Sequence, residues 1–183
     1  MGELASKQQL RMSFLRWAAV TVPTIVFLGI LMGRLSNSGF ENGWFVALER
    51  PDWFPPGAAF GIVWTILYAL IGIAVALILD ARRAPGRARA LLLFAVQLAM
   101  NLAWSPLFFA AHQVTAAFWL MVVLLVTATA TAAAFWPIRR AAGVLMLPYL
   151  AWLGFATALN FEMDRLNPDA EAAMPERGTE FAI

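Results

Sequence analysis

Residues 53–79 read WFPPGAAFGIVWTILYALIGIAVALIL and contain no charged side chain. A helix needs about 20 apolar residues to cross the roughly 30 Å hydrocarbon core of a bilayer, and this run exceeds that length. Its apolar residues are continuous, whereas a strand of a membrane barrel would alternate apolar with polar side chains. The run therefore predicts a membrane-spanning α-helix.

Further uncharged windows of helix length lie on both sides of this run. Hydrophobic residues make up 62% of the chain and charged residues 13%, whereas a soluble domain has about a quarter of its residues charged. We therefore predict an all-α integral membrane protein, a bundle of five transmembrane helices with a long, structured first loop. The four other windows are 17–33, 90–111, 113–138 and 141–161.

The first window has an alternative interpretation as a signal peptide, because basic residues precede it and small residues follow it. Its apolar run is longer than the usual core of a signal peptide, which favours a retained helix. The domain organisation that we expect is a basic N-terminal segment (1–16), a membrane domain (17–166) and a disordered tail (167–183) that contains prolines and acids.

The charged residues are divided unequally between the two sides of a five-span topology. By the positive-inside rule, the side with more Lys and Arg faces the cytoplasm. This rule predicts a cytoplasmic N-terminus and an external first loop if the protein sits in an inner membrane. Of the 13 cationic residues, the N-terminal side holds Lys7, Arg11, Arg16, Arg82, Arg83, Arg87, Arg89, Arg139 and Arg140.

Several classes of chemistry are disfavoured by residue usage. The chain has no cysteine and one histidine, His112, so Cys-based sites and multi-histidine metal sites are excluded. No acid–base pair is evident, which argues against an enzyme, and no cofactor is expected to be required. The Arg82–Arg89 cluster indicates topology, or contact with anionic lipid, rather than nucleic-acid binding.

Aromatic residues concentrate in the first loop and continue into the helices. Pro51, Pro55 and Pro56 stiffen the backbone just before the second window. Phe60, Trp64 and Tyr68 then recur at a spacing of four. Comparable stripes are formed by Asn101, Trp104 and Phe108 and by Tyr149, Trp152, Ala156 and Asn160.

Asparagine inside an apolar window is costly unless it faces the bundle interior and finds a partner. Asn101 and Asn160 are therefore expected to point inward, where the aromatic stripes would converge with them. In the window 90–111, a row of small residues lies on the face opposite Asn101 and is suited to close packing with another helix. This row consists of Ala95, Ala99 and Ala103.

These blocks resemble the translocator protein / tryptophan-rich sensory protein (TspO/MBR) family, from about residue 44 to residue 167. The resemblance is carried by Trp44-Phe45, Leu48, Arg50-Pro51, Trp53, Pro55-Pro56, Phe60, Val63-Trp64 and Leu67-Tyr68, by Gln97, Asn101, Trp104-Ser105-Pro106 and Phe108-Phe109, and by Pro148-Tyr149, Trp152, Phe155-Ala156 and Leu159-Asn160.

The resemblance implies five transmembrane helices, a homodimer, and a pocket under the first loop for porphyrins and other flat aromatic ligands. Asn101 would supply an orienting hydrogen bond, and Arg50 would approach the ligand's propionates. The pocket positions it implies are Phe45, Pro55, Phe60, Trp64, Tyr68, Asn101, Trp104, Trp152 and Ala156.

Two positions depart from the family pattern. Phe45 stands where the family usually has tyrosine, and Phe161 replaces the tyrosine of the segment associated with sterol recognition. That motif is weak even when intact, so sterol binding is not expected.

The sequence leaves three functions open. The favoured one is a tetrapyrrole-binding receptor or transporter with a regulatory role in tetrapyrrole handling. The alternatives are a light- or oxygen-dependent enzyme that degrades porphyrin, and a sensor that acts through a protein partner.

Overall fold

The structure is a computed structural model that describes residues 7–171, with side chains from residue 12 onward. Its elements are α1 (Lys7–Leu35), α2 (Gly43–Ala47), α3 (Gly57–Asp80), α4 (Arg87–Ser105), a π-helical turn (Pro106–Ala110), α5 (Val114–Phe135) and α6 (Arg140–Leu166). Five of these segments are long and apolar enough to cross a bilayer. The predicted all-α fold of five transmembrane helices is confirmed.

Local sequence explains where the elements begin and end. The side chain of Asn42 accepts a hydrogen bond from the Phe45 amide at 3.2 Å and so caps α2. Gly86 has a φ of 77°, a conformation that glycine adopts without steric cost, at the start of α4. Arg87 donates from Nε to the Ile78 carbonyl and from Nη2 to the Leu79 carbonyl, both at 3.0 Å, which holds the turn between α3 and α4.

Helix α3 lies between α1 and α6 in the bundle. It packs against α1 and α6, α4 packs against α5, and α5 packs against α6. Because lipid gives helices no hydrophobic reason to associate, close van der Waals contact between small residues is important. Gly72 provides such a contact, since a Cβ there would lie 2.9 Å from the Cα of Val22. Thr21 also donates to the Gly72 carbonyl at 2.8 Å.

The described residues on either side of the predicted membrane domain pack against it or continue its helices. Residues 7–16 are helical and continuous with the first membrane span, because α1 begins at Lys7. Residues 167–171, expected as the start of a disordered tail, fold back onto the first loop, where Ala170 is buried. Their polar groups find partners there, which composition alone does not reveal. Residues 1–6 and 172–183 lie outside the described part of the chain.

Candidate ligand-binding cavity

A cavity of about 410 Å³ lies beneath the first loop, between the ends of the helices. Its walls come from α1, α3, α4, the π-helical turn and α6, with one residue from α5. The lining comprises Gly29, Ile30, Met32, Gly33, Ser38, Gly39, Phe40, Phe45, Phe54, Gly57, Phe60, Gly61, Trp64, Thr65, Tyr68, Asn101, Leu102, Trp104, Ser105, Phe108, Phe109, Met121, Ala156, Leu159, Asn160 and Met163.

Residues 36–56, which we call the lid, form the roof of this cavity. Phe40, Phe45 and Phe54 pack edge-on or tilted, with ring centroids 5.5 to 6.4 Å apart. Such arrangements are favourable because the positive edge of one ring meets the negative face of another. Phe45 is only 4% exposed. The roof is therefore a packed aromatic cluster rather than a loose loop.

Arg50 lies against this aromatic roof. Its guanidinium carbon is 5.1 Å from the ring centroid of Phe40 and 5.7 Å from that of Phe45, distances at which cation–π attraction operates. Arg50 does not line the cavity. Its predicted approach to propionate groups would take place at the roof and not inside.

The lid is attached to the turn that follows α4. Asn42 donates to the Phe109 carbonyl at 3.1 Å, and the ring of Trp44 stacks on His112 with centroids 4.3 Å apart. His112 has a φ of 57°, so the chain makes a sharp turn there before α5. The π-helical turn just before His112 carries Phe108 and Phe109, which close the cavity below the lid.

Tryptophans form two walls of the cavity. Trp64 of α3 packs beside Tyr68, with ring centroids 5.3 Å apart. Trp104 of α4, which also lines the cavity, stacks on Phe108 with ring centroids 5.0 Å apart. The indole nitrogen of Trp104 donates to Asn160 Oδ1 at 3.0 Å, which fixes the ring plane. Because its donor is already satisfied, Trp104 presents a mainly apolar surface to a ligand.

The floor is a chain of buried polar side chains from three helices. Tyr68 donates to Asn101 Oδ1 at 2.9 Å, Asn101 Nδ2 donates to the Tyr149 hydroxyl at 3.2 Å, and Tyr149 donates to Gln97 Oε1 at 2.8 Å. Gln97 and Tyr149 are fully buried, and Asn101 is 6% exposed. The inward orientation predicted for Asn101 and Asn160 matches these positions, and it places a few polar atoms at the base of an apolar cavity.

Helix α1 supplies a wall that sequence analysis did not identify. A Cβ atom at Gly29 would overlap the ring of Tyr68, so only glycine lets that ring approach α1 so closely. Gly33 lines the cavity one turn later. The spacing of these two glycines was the available signal, but without a known partner surface it did not point to a site.

No residue that lines the cavity, among those the structure describes, carries a charged side chain. Within the same part of the chain no cluster of His, Asp and Glu is placed to hold a metal ion. The arrangement suits reversible binding of a flat apolar molecule, with Tyr68 and Asn101 as polar contacts.

Seven of the nine predicted pocket residues line the cavity: Phe45, Phe60, Trp64, Tyr68, Asn101, Trp104 and Ala156. Pro55 and Trp152 do not. Trp152 lies behind the wall, with its ring centroid 5.8 Å from that of Phe60 and 6.5 Å from that of Trp64. Its indole nitrogen is buried and has no hydrogen-bond partner in the described part of the chain. Pro55 is half-buried in the segment that leads into α3.

Comparison with known proteins matches the chain to one family. A family model described as the TspO/MBR family matches residues 19–166. The chain is 32% identical over 158 residues to Protein CrtK of Rhodobacter capsulatus, and the match covers 82% of this chain and 95% of that protein.

Two further relatives come from different kinds of organism. The Tryptophan-rich sensory protein of Cereibacter sphaeroides is 39% identical over 132 residues, which cover 70% of this chain and 82% of the relative. The Translocator protein of Homo sapiens is 36% identical over 151 residues, which cover 76% of this chain and 87% of the relative. The family match spans all of the helices that surround the cavity except the first part of α1.

Proposed function

The chain belongs to the TspO/MBR family of membrane proteins, and on that basis we propose that it binds porphyrins and other flat aromatic ligands in the cavity under the lid. The observation that carries the proposal is the aromatic lining of this cavity, with Trp64 and Trp104 on its walls and Asn101 at its base. In this proposal the protein is a receptor or transporter with a regulatory role in tetrapyrrole handling.

The dimensions and chemistry of the cavity support this ligand class. A volume of about 410 Å³ lies within the range of about 300 to 1,000 Å³ that is usual for small-molecule sites. A tetrapyrrole is a large flat π system, so it gains most from aromatic walls. Tyr68 and Asn101 would offer hydrogen bonds to its polar centre or edge.

Charged groups on the ligand would not enter the uncharged cavity, because burying an unpaired carboxylate is costly. We propose that propionates remain at the roof, where Arg50 lies against Phe40, Phe45 and Phe54. The guanidinium would form charge-assisted hydrogen bonds with a carboxylate there. The ligand would then lie with its apolar body toward α3 and α4.

Titration of the purified protein with protoporphyrin IX tests the proposal. We expect saturable quenching of tryptophan fluorescence, because Trp64 and Trp104 would contact the ligand, and a stoichiometry of one ligand per subunit. Asn101→Ala is expected to weaken binding about three- to tenfold, as the loss of one buried hydrogen bond would. Free N-acetyltryptophanamide in the same micelles corrects for absorption by the porphyrin. Quenching that rises without saturation, as it does for this reagent, would contradict the proposal.

The orientation that we propose places the lid on the external side of the membrane. Exposed cations lie in or directly beside the α3–α4 and α5–α6 connections, at the end of the bundle opposite the lid: Arg82, Arg83, Arg89, Arg139 and Arg140. Such a concentration of cations is typical of the cytoplasmic side. A ligand would then reach the cavity from the external side.

We also propose that the protein forms a homodimer through α4. Ala95, Ala99 and Ala103 are exposed along the outer face of this helix, away from Asn101. Small residues at this spacing let two helix backbones approach closely in lipid. The face is free to pack against its copy in a second subunit.

Ala99→Phe tests this interface. A bulky ring at the centre of the row would separate the two helices, so we expect dimer affinity in lipid nanodiscs or detergent to fall roughly tenfold or more. Val126→Phe is the matched control, because Val126 is 65% exposed on α5. Oligomeric state would be measured by light scattering across a dilution series. An unchanged dimer in Ala99→Phe would place the interface elsewhere.

A further inference from the structure

The segment after α6, residues 167–171, is bonded directly to the lid. The Asn167 side chain makes two hydrogen bonds with one residue of the lid: Nδ2 donates to the Glu49 carbonyl at 2.9 Å, and Oδ1 accepts from the Glu49 amide at 2.8 Å. Three residues later, the Ala170 carbonyl accepts from the indole nitrogen of Trp44 at 3.2 Å. Two separate points of the lid are therefore held by one short segment.

This segment is itself anchored to the bundle. Asn167 Nδ2 also donates to the Met163 carbonyl at 2.8 Å, which caps the end of α6. Glu171 accepts from the Thr115 amide at 3.2 Å, and Asp164 of the last turn accepts from the Thr115 hydroxyl at 2.6 Å. Ala170 is 5% exposed and packs in the same cluster as Trp44 and Phe45. Through these contacts the segment is fixed to α5 and α6.

The residues that the segment holds belong to the lid that covers the cavity, although they do not line the cavity themselves. Trp44 and Phe45 are neighbours in α2, and Phe45 is a buried ring of the roof. For Phe45 to move aside, α2 must shift, and this movement separates Trp44 from Ala170 and Glu49 from Asn167. The opening of the roof is thus coupled to breaking these hydrogen bonds.

We propose that Asn167 and the Ala170 carbonyl form a latch that holds the lid over the cavity, and that this latch sets the rate at which a ligand enters and leaves. The identity of the ligand rests on the proposed function, whereas the coupling between the latch and the opening of the lid does not. The latch closes the lid in the free and in the bound protein. Its loss therefore speeds both association and dissociation, while the equilibrium affinity changes little.

Two variants remove different parts of the latch in the full chain. Asn167→Ala removes both bonds to Glu49, whereas Trp44→Phe removes the bond to Ala170, keeps an aromatic ring against Phe108 and leaves the end of α6 intact. Asp169→Ala is the matched control, because Asp169 is exposed in the same segment and makes no hydrogen bond among the described residues. An effect common to the two latch variants cannot come from fraying of α6 alone.

Stopped-flow measurement of the absorbance change on mixing with protoporphyrin IX gives both rate constants. We expect association and dissociation to accelerate about five- to tenfold in Asn167→Ala and about threefold in Trp44→Phe, with Kd within about twofold of the wild type. Asp169→Ala should behave as wild type. Unchanged rates in both latch variants, or a change equal to that of Asp169→Ala, would overturn the proposal.

Hydrogen exchange of the ligand-free protein separates the latch from the ligand hypothesis. Amides of residues 43–50 should exchange about five- to tenfold faster in Asn167→Ala than in wild type, while those of α3 and α5 keep their protection. If protoporphyrin IX does not bind the wild type, the proposed function fails, but faster exchange in the lid would still support the latch. Unchanged exchange in the lid would overturn it.

Discussion

Replacing Trp64 with alanine is expected to weaken protoporphyrin IX binding roughly 30-fold, which corresponds to about 2 kcal/mol. Trp64 lines the cavity directly and packs beside Tyr68, with ring centroids 5.3 Å apart. The substitution removes a flat wall against which a porphyrin would stack. It also widens the cavity, so a ligand would lose van der Waals contact that neighbouring side chains cannot restore. Equilibrium titration that follows the absorbance of the porphyrin measures the loss.

Trp152→Ala should cause a smaller loss of affinity, about threefold. Trp152 lies behind Phe60 and Trp64 and does not line the cavity. It supports the wall rather than forming it. Family resemblance gave the two tryptophans equal weight, whereas the geometry ranks Trp64 first. The comparison of the two variants therefore tests the geometry of the site and not only the ligand class.

Trp119→Ala is the control for both variants, because Trp119 is 60% exposed on the outer face of α5. This substitution should leave the affinity unchanged, although it removes the contribution of one tryptophan to the protein's fluorescence. If wild type, Trp64→Ala and Trp119→Ala all bind with equal affinity, the ligand binds outside this cavity. If Trp152→Ala weakens binding more than Trp64→Ala does, the residues that contact the bound ligand differ from those that line the cavity in this structure.

The fold could be predicted from sequence because a bilayer leaves few solutions. Uncharged runs such as residues 53–79 must satisfy every backbone group internally, and in runs of this length only a helix does so. Most of the helix ends lie close to the charged or proline residues that bound the windows, although α1 begins well before its window and α6 ends after its own. What sequence could not reveal was the contact between the segment after α6 and the lid. Asn167 is a polar residue beside a proline, and its two hydrogen bonds with Glu49 depend on a residue far away in the sequence.

The site could be predicted in part for a related reason. Asn101 stood out because a polar side chain in an apolar helix needs a partner, whereas Tyr68 stood out as part of an aromatic stripe. The two side chains are hydrogen-bonded to each other at 2.9 Å. Periodicity identifies a helix face but not its depth within the bundle. Trp152 shares a stripe with Ala156, yet only Ala156 reaches the cavity. Gly29 carries no side chain that could signal a role, and its importance depends on the ring packed against it.

Gly29→Ala is expected to destabilise the protein by about 1–3 kcal/mol, the usual cost of overpacking a well-packed interior. The new methyl group would overlap the ring of Tyr68, with Cδ2 at 2.5 Å and Cζ at 2.6 Å from the Cβ position. That ring cannot simply swing away, because its hydroxyl is bonded to Asn101 and Trp64 packs on its other side. Either α1 must move outward or the floor of the cavity must rearrange. Thermal unfolding in one detergent measures the loss.

Gly61→Ala is the matched control, since Gly61 also lines the cavity and a Cβ there meets no other atom within 4 Å. In a helix that substitution should be neutral or slightly stabilising. A double-mutant cycle identifies the cause of the effect at Gly29. In a Tyr68→Leu background the overlapping ring atoms are absent, so the cost of Gly29→Ala should fall by at least half. If Gly29→Ala costs as much beside leucine as beside tyrosine, the close approach of α1 to α3 at this point has another origin. The ring of Tyr68 would then not be what requires glycine on α1.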